Sequence, residues 1–288
     1  DSEKIQKVLK KAVQFLDNDI EDDYNKLMFE AKKIREKAKT NQQGLKDEAA
    51  YLAKNNLGHI QLQYLYMRSF YTTIKIDKNL QTAIDYYTNQ SATYWKDFNL
   101  YSKGLIVLIQ HRNGNSTLTA AILKSLKENS IISEELGMYW KENTASWYWY
   151  QAPIETQALM IEVFSEIEND IKIVDELKVW LLKNKQTNSW KTTKATTEAV
   201  YALLLQGSDW LSVNETVKVT VGNKKIAPSK LENIAVEAGT GYYKTSWNGS
   251  EITPEMGEIS ISKKGDGIAW GGLYWQYFED LDKITKAK

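Results

Sequence analysis

Thr156-Gln-Ala-Leu-Met-Ile-Glu-Val-Phe164 is the stretch that decides the fold, because it begins with polar and small residues and then becomes densely apolar. Two other stretches share this pattern, Thr119-Ala-Ala-Ile-Leu-Lys-Ser-Leu126 and Thr196-Thr-Glu-Ala-Val-Tyr-Ala-Leu-Leu204. They recur at intervals of about 35–45 residues, which is the range of helical repeats. A helix that is apolar on most sides is buried on most sides. The three stretches therefore predict the inner helices of a two-layer helical domain.

Helical periodicity extends outward from these stretches, from residue 1 to about residue 207. Ile5, Val8 and Ala12 lie on one face of the first amphipathic helix. Further helices are predicted near residues 57–72, 78–94, 97–111, 117–128, 153–168, 171–185 and 193–206. Alternating inner and outer helices predict a mainly α fold, an α/α toroid that is complete or lacks part of its N-terminal end. An open solenoid is the competing arrangement.

The period changes to two after about residue 211, where Val217, Val219 and Val221 alternate with polar residues. Turn residues separate this strand from strand-like runs near residues 231–237, 241–247, 257–262 and 267–278. Strands that follow a run of helices indicate a separate domain. We therefore expect a helical domain over residues 1–210 and an antiparallel β-rich segment over residues 211–288.

Composition excludes several kinds of protein and site. Lys and Arg together number 37, as do Asp and Glu, so the basic excess typical of nucleic-acid binders is missing. There is no Cys, which excludes disulfides, zinc–thiolate sites, Cys nucleophiles and thioesters within the chain. No apolar run reaches the roughly 20 residues of a membrane span. Because the chain enters a charged helical pattern directly at Asp1, we expect it to be a piece of a longer protein.

The segment Val179-Trp-Leu-Leu-Lys-Asn-Lys-Gln-Thr-Asn-Ser-Trp190, with the Thr-rich start of the next helix, resembles a known family. It is similar to the thioester-domain hairpin of α2-macroglobulin and the complement proteins, a terpenoid-cyclase-like toroid. Thr192, Thr193 and Thr196 are suited to cap the inner helix, and Trp190 to close the hairpin. Other stretches resemble bacterial macroglobulin-like proteins: Gln63–Phe70, Ile122–Glu128, Gly137–Lys141, Pro153–Leu159 and, in the small β-domain, Gly265–Tyr277.

The resemblance implies a fragment of a bacterial endopeptidase inhibitor that entraps proteases, located in the periplasm, the cell envelope or outside the cell. The implied partners are proteases, reached through the full-length parent, and other domains of the same chain. The fragment itself is expected to be a relocating, non-enzymatic domain without catalytic, cofactor, metal or thioester residues. The family's Cys-x-Glu-Gln motif is absent. Either the parent lacks a thioester, or the motif lies upstream of Asp1.

Two alternatives remain beside this interpretation, a helical-repeat scaffold and an α/α-barrel enzyme that acts on polysaccharide. An enzyme of that type needs paired carboxylates, and Glu142, Glu155 and Glu198 are the candidates. Helix capping and dipole complementarity are the favoured explanation for Glu155 and Glu198. His59 and His111 are interpreted as structural, and His111 as a residue at a helix C-terminus.

Aromatic residues form two groups in the sequence. The first group is interpreted as a loop folded onto the end of the helical domain, with sugar stacking or partner binding as the alternative. It consists of Tyr139, Trp140, Trp147, Tyr148, Trp149 and Tyr150. The second group is predicted to cover an inter-sheet or interdomain core, and consists of Trp270, Tyr274, Trp275 and Tyr277.

Overall fold

Helices make up most of the computed structural model, which describes residues 2–144, 152–187, 190, 192–204, 217–226, 243–263, 271–278 and 280. The predicted mainly α class with a short antiparallel segment is confirmed. The helices are α1 (Ser2–Lys37), α2 (Asn41–Leu52), α3 (His59–Arg68), α4 (Lys78–Tyr94), α5 (Leu100–Arg112), α6 (Ser116–Glu128), α7 (Pro153–Ile167), α8 (Ile171–Thr187) and α9 (Thr193–Leu204).

Helix starts follow the capping chemistry of the sequence. The Asp77 carboxylate accepts a hydrogen bond from the backbone N–H of Leu80 at the start of α4. The Thr192 hydroxyl accepts one from the N–H of Ala195 at 3.0 Å, as predicted for the start of α9. Pro153 begins α7, where its missing N–H leaves no intrahelical hydrogen bond unmade.

The chain divides into two units, Asp1–Gln206 and Gly207–Lys288. In the first unit α3, α5, α7 and α9 pack one against the next, and we call these the inner helices. Helix α4 packs on α3 and α5, α6 packs on α5, and α8 packs on α7. The long α1 lies against α2, α3 and α4. The four inner helices form a continuous layer, and the closure of this layer into a toroid stays a prediction.

Helix α5 is an inner helix that is buried throughout its central part, and it was not among the three inner stretches predicted from the sequence. Every residue from Gly104 to Gln110 is buried. Helix α6, which contains the Thr119 stretch, buries only Thr119, Ile122, Leu123 and Leu126. The prediction that this stretch forms an inner helix is therefore wrong, because α6 uses one face and lies outside α5.

Gly104 allows α5 and α7 to approach closely. A Cβ atom built at this position would lie 2.7 Å from Met160 Cε and 2.8 Å from Leu159 Cδ2. Any larger residue would therefore have to displace side chains that are themselves in the core. The contact joins α5 and α7, the two helices of the unit with the longest runs of buried residues.

A short hairpin of β1 (Ile131–Ser133) and β2 (Gly137–Tyr139) precedes α7. The sequence analysis did not predict it, since strands of three residues are too short for a periodic signal. Gly137 has a φ of 71°, and a Cβ atom there would lie 2.1 Å from the backbone oxygen of Glu176 in α8. Only glycine fits this close contact between the hairpin and α8.

The second unit contains an antiparallel sheet of three strands in the order β4-β3-β5, formed by β3 (Lys218–Val221), β4 (Lys224–Ile226) and β5 (Ile259–Ser262). Val219 pairs with Ile226 on one side and with Ile261 on the other. The strand predicted at Val217–Val221 and the turn at Gly222 are thus present.

Two strand predictions in this unit are wrong for the residues that the structure describes. Residues 243–248 and 271–278 form no strand, and the predicted strand at residues 231–237 lies outside the described residues. Short 3₁₀ helices at Gly249–Glu251 and Pro254–Gly257 fill part of the interval before β5. Alternation of polar and aromatic residues does not by itself provide a partner strand.

Candidate functional site

A row of polar and aromatic side chains lies where the inner helices meet, and we call it the inner polar face. On α3 it follows four- and three-residue steps, which place His59, Gln63 and Tyr66 on one side of the helix. The members on α5 and on α7 are likewise separated by sums of three- and four-residue steps, so they share one side of each helix. The remaining members are Tyr101 and Arg112 on α5, Glu155, Glu162 and Glu166 on α7, and Glu198 on α9.

Hydrogen bonds across this face show that α3, α5 and α7 run in the same direction. His59 at the start of α3 bonds Ser102 at the start of α5, with 2.9 Å between Nδ1 and Oγ. Arg112 at the end of α5 donates to Ser69, just after α3, at 2.9 Å. Arg112 also reaches Glu166 in the last turn of α7. The N-terminal ends of α3 and α5 therefore lie together, and so do the C-terminal ends of α3, α5 and α7.

Arg112 organises the C-terminal end of the inner polar face. Its Nε and Nη2 atoms donate to the two Glu166 oxygens at 2.8 and 2.6 Å, a bidentate arrangement. Its Nη2 also donates to Glu162 Oε1 at 2.8 Å. The guanidinium lies 4.2 Å from the centroid of the Phe70 ring and 5.2 Å from that of Tyr66.

The groups around Arg112 have strongly perturbed ionisation. The Tyr66 hydroxyl donates to Glu162 Oε2 at 2.6 Å. Burial, with the neighbouring Glu162 charge, raises the pKa of Tyr66 far above its usual range. Burial lowers the pKa of Arg112, but hydrogen bonds to Glu166 and Glu162 outweigh this and raise it overall. Both Glu162 oxygens are therefore occupied by donors, so this carboxylate is not free to act as a base.

At the N-terminal end of the inner polar face, the carboxylates have fewer hydrogen-bond and ion-pair partners than at the Arg112 end. Glu155 is only 7% exposed, and among the described residues no hydrogen bond or ion pair reaches its carboxylate. Gln63 Nε2 donates to the Tyr101 hydroxyl at 2.7 Å. Burial and the charges of Glu198, Glu155 and Glu162 raise the pKa of Tyr101, although the Gln63 hydrogen bond opposes this.

Glu198 lies close enough to the α7 carboxylates to feel their charge. Burial raises the pKa of Glu198, Lys194 lowers it, and the charges of Glu155 and Glu162 raise it further. Glu198 is partly exposed, so it lies at the edge where this end of the face meets solvent. Two of the three carboxylates that the sequence singled out, Glu155 and Glu198, thus lie on the adjacent helices α7 and α9, and the charge of the first contributes to the raised pKa of the second.

The three predicted carboxylates have different local roles. Glu155 lies in the first turn of α7, where dipole complementarity was predicted. Glu198 lies in the second turn of α9, so the capping interpretation is wrong for it. Glu142 is exposed in the turn after β2.

His59 is the first residue of α3, and His111 lies near the C-terminal end of α5. Burial lowers the pKa of His59, and its ring contacts Phe98 edge-on. Its partner Ser102 is fully buried, so that hydroxyl is inaccessible to a substrate. His111 lies in the last turn of α5.

The aromatic predictions have mixed outcomes. Trp140 is buried, stacks on Phe164 and donates from Nε1 to the Leu126 carbonyl at 2.9 Å, while Tyr139 is partly buried. Trp190 packs against the core. The cluster members Trp147, Tyr148, Trp149 and Tyr150 lie outside the described residues.

The prediction that the C-terminal aromatics cover a core is wrong for Tyr274, Trp275 and Tyr277. Tyr277 is 77% exposed, and the other two are also exposed. The physical reason is that residues 271–278 form no strand, so their side chains have no sheet surface to pack on. Trp270 lies outside the described residues.

Sequence reasoning missed Gln63, Tyr66, Tyr101 and Arg112. The signal that could have found the two α3 residues is the spacing of His59, Gln63 and Tyr66, which places polar atoms on a helix face in a buried domain. Arg112 is one of three Arg in the chain, and its position beside α7 is a property of the fold that no local pattern gives.

Two searches of the described residues bear on the kind of site. No group of three or more His, Cys, Asp or Glu side chains there could hold a metal ion. None of the helices in the described ranges combines the length and hydropathy needed to cross a bilayer. Comparison with protein-family models gives no match to this chain, and comparison with curated proteins gives none either.

Proposed function

We propose that the chain is a non-enzymatic helical domain, with an attached β segment, of a bacterial macroglobulin-like inhibitor that entraps proteases. The inner helices form part of an α/α toroid in this proposal. The domain itself contributes no thioester, since it has no Cys. Its role is mechanical, because it moves as a unit when the parent is cleaved and presents different contacts in two states.

The observation that carries the proposal is the conformation of the segment that resembles the family. The first nine residues of this segment, from Val179 to Thr187, form the second half of α8, and Trp190 packs against the core. The Thr192 hydroxyl caps α9, and Ala195, Ala199 and Ala202 are buried along it. Small residues on the buried side let α9 approach α7, which is what an inner helix of this family requires.

Saturation of the Arg112 network also supports a domain without catalysis at that end. Glu162 and Glu166 both accept hydrogen bonds from Arg112, and Tyr66 occupies the second Glu162 oxygen. Such a network holds helices rigidly together. Rigidity suits a domain that relocates as a unit.

The test uses the full-length protein that contains this chain. It is incubated with proteases of different specificity, and the cleavage of a large protein substrate is compared with that of a short chromogenic peptide. Entrapment excludes the large substrate from the protease while the peptide still diffuses in. We expect selective loss of protein cleavage. If protein and peptide are both cleaved at the rates of the free proteases, entrapment is wrong.

One observation favours a second candidate, the polysaccharide-active enzyme. Glu155 and Glu198 lie on the adjacent helices α7 and α9, and the charge of Glu155 raises the pKa of Glu198, as is typical of paired carboxylates. The enzyme proposal predicts reducing-end release from polysaccharide by the wild-type chain and its loss in Glu155→Gln. Absence of release from a panel of neutral and acidic polysaccharides excludes this candidate.

A further inference from the structure

We infer that the N-terminal part of α1, residues 2–16, is a surface helix that binds an anionic lipid bilayer. Three properties of this segment carry the inference: its exposure, its apolar stripe and the position of its Lys residues. The binding does not depend on the proposed function, because it uses neither the inner polar face nor the β segment.

The first property is exposure. Every residue from 3 to 12 is exposed except Leu9, which is partly buried. Val13 is the first buried residue of α1, and Asp17 and Ile20 continue the buried side of the helix. Packing of α1 on the rest of the unit therefore begins at Val13, and the turns before it are covered by no other described part of the chain.

The second property is an apolar stripe on this exposed part. Ile5, Val8, Ala12 and Phe15 follow one another at steps of three and four residues, so they share one side of the helix. Val8 is 66% exposed and Phe15 is 69% exposed. The amphipathic face predicted from the sequence is thus present, but the fold leaves it in contact with solvent. A contiguous row of exposed apolar side chains is typical of a surface that binds a partner.

The third property is the charge of the segment. Residues 2–16 contain one carboxylate, that of Glu3, and four Lys. The four are Lys4, Lys7, Lys10 and Lys11. No salt bridge within the described ranges joins any of them to a carboxylate. The segment is therefore strongly positive, although the whole chain has a formal net charge of zero.

Two of these Lys border the apolar stripe. Lys4 lies four residues before Val8, and Lys11 lies four residues before Phe15. Residues four apart are neighbours on a helix surface. Long Lys side chains beside an apolar stripe reach lipid phosphates while the stripe enters the acyl boundary. A basic flank next to an exposed apolar stripe is typical of helices that lie on an anionic membrane surface.

The next turns of α1 set the limit of the segment. Asp19 and Asp22 continue the line of the stripe after Phe15, and both are exposed. Anionic lipid would repel carboxylates at these positions. The membrane-binding surface therefore ends at Leu16, the last apolar residue beside the stripe.

The charges also distinguish a bilayer from a second copy of the chain. If two stripes packed face to face, the four Lys of one copy would lie near the four Lys of the other, and like charges repel. A bilayer that contains anionic lipid supplies the opposite charge. Its fluid surface also needs no groove that matches the side chains of the stripe.

Flotation of residues 1–288 with lipid vesicles tests the inference. One set of vesicles contains phosphatidylcholine and phosphatidylglycerol, and the other contains phosphatidylcholine alone. We expect binding to the anionic vesicles to be at least about tenfold tighter than to the neutral ones, because several Lys near an anionic surface add their contributions. Added salt should weaken the binding, because it screens exposed charges.

Two Phe substitutions test the apolar stripe. Phe15→Ser should weaken binding to anionic vesicles at least about fivefold, because it removes the largest side chain of the stripe. Phe29→Ser is the matched control, since Phe29 is also on α1 and is 58% exposed, but it lies beyond the segment. It should leave binding unchanged.

Two double substitutions test the Lys residues in the same way. Lys4→Gln with Lys11→Gln should weaken binding at least about tenfold, because both charges border the stripe. Lys37→Gln with Lys39→Gln removes the same charge from exposed positions at the other end of α1 and just after it. This control should bind as the wild type does.

Three results would overturn the inference: no flotation with anionic vesicles, equal flotation with neutral ones, or equal effects of Phe15→Ser and Phe29→Ser. Self-association that Phe15→Ser abolishes, seen by sedimentation without vesicle binding, would also overturn it and identify a second copy as the occupant. Thermal unfolding verifies that each variant is folded. Val8→Ser provides the test of the stripe if Phe15→Ser does not fold.

Discussion

The Gln157 side-chain amide donates to the backbone carbonyl of Met138 across 2.8 Å, and so joins α7 to the β1–β2 hairpin. The same nitrogen donates to the Leu177 carbonyl in α8 at 3.1 Å. Gln157 is fully buried. One side chain thus ties three elements together from inside the core.

Replacing Gln157 by Leu should destabilise the helical unit by about 1–3 kcal/mol, because the buried Met138 carbonyl loses its side-chain donor. Chemical denaturation of the chain measures the change. Gln81→Leu is the control, since Gln81 is exposed on α4 and bonds only Asp85. It should change the free energy of unfolding by less than about 0.5 kcal/mol. Equal effects of the two substitutions would show that the buried hydrogen bonds contribute nothing.

Replacing Arg112 by Met should cost about 3–5 kcal/mol, because Glu162 and Glu166 would keep their charges in a partly buried place without a cation. Arg35→Met provides the comparison. Arg35 and Glu48 are 3.7 Å apart, and the Arg35 side chain is 45% exposed, so that loss should be below about 1 kcal/mol. A double-mutant cycle of Arg112→Met with Glu166→Gln should show coupling. Additivity of the two single changes would contradict the network.

Glu198→Gln should stabilise the chain at neutral pH. Burial raises the pKa of Glu198, so the folded state binds more protons than the unfolded state between the ordinary and the raised pKa. Wild-type stability therefore falls as pH rises through that window, and Gln avoids this loss. The gain at pH 7 should be below about 1 kcal/mol, because the side chain is partly solvated.

The same comparison at low pH provides the sign test. Below about pH 4, near the ordinary Glu value, both states of the wild type are protonated and the difference from Glu198→Gln should disappear. Thermal unfolding across pH 3–8 measures it, with Glu135→Gln as the exposed control. A variant that is less stable than wild type at pH 7 would mean that Glu198 gains a favourable interaction in the folded state.

Gly104→Ala and Gly137→Ala should differ in severity. At Gly104 the added methyl meets the ends of Met160 and Leu159, which can shift, so we expect a loss of about 1–3 kcal/mol. At Gly137 it meets the Glu176 backbone oxygen at 2.1 Å, and φ is positive, so the loss should be larger. Urea denaturation ranks the two, and a smaller loss at Gly137 would contradict the hairpin–α8 contact.

Much of the helical unit was predictable because its signals are local. The apolar run of α7 and the Asn-Gly break before α6 depend only on neighbouring residues, and the predicted α4 and α6 segments begin and end within about two residues of the observed helices. Helix α2 was missed because its few apolar residues, such as Leu45 and Leu52, give little periodicity.

The candidate site was largely unpredictable for a different reason. Gln63 and Tyr101 are 38 positions apart, and Tyr66 and Glu162 are 96 apart. Their meeting depends on which helices are neighbours and in which direction they run. A helix pattern gives the face of each residue but not its partner, so the sequence could name Glu155 and Glu198 without placing them together.

The successive packing of the inner helices has a consequence for how the unit opens. Each inner helix contacts chiefly the inner helix one hairpin away, so cooperativity is passed along the layer between neighbours, as in repeat proteins. Helices α5 and α7 have inner neighbours on both sides, whereas α9 has one described inner neighbour, α7. Backbone amides of α5 and α7 should therefore exchange with deuterium more slowly than those of α9, and α9 should detach first under mild denaturation.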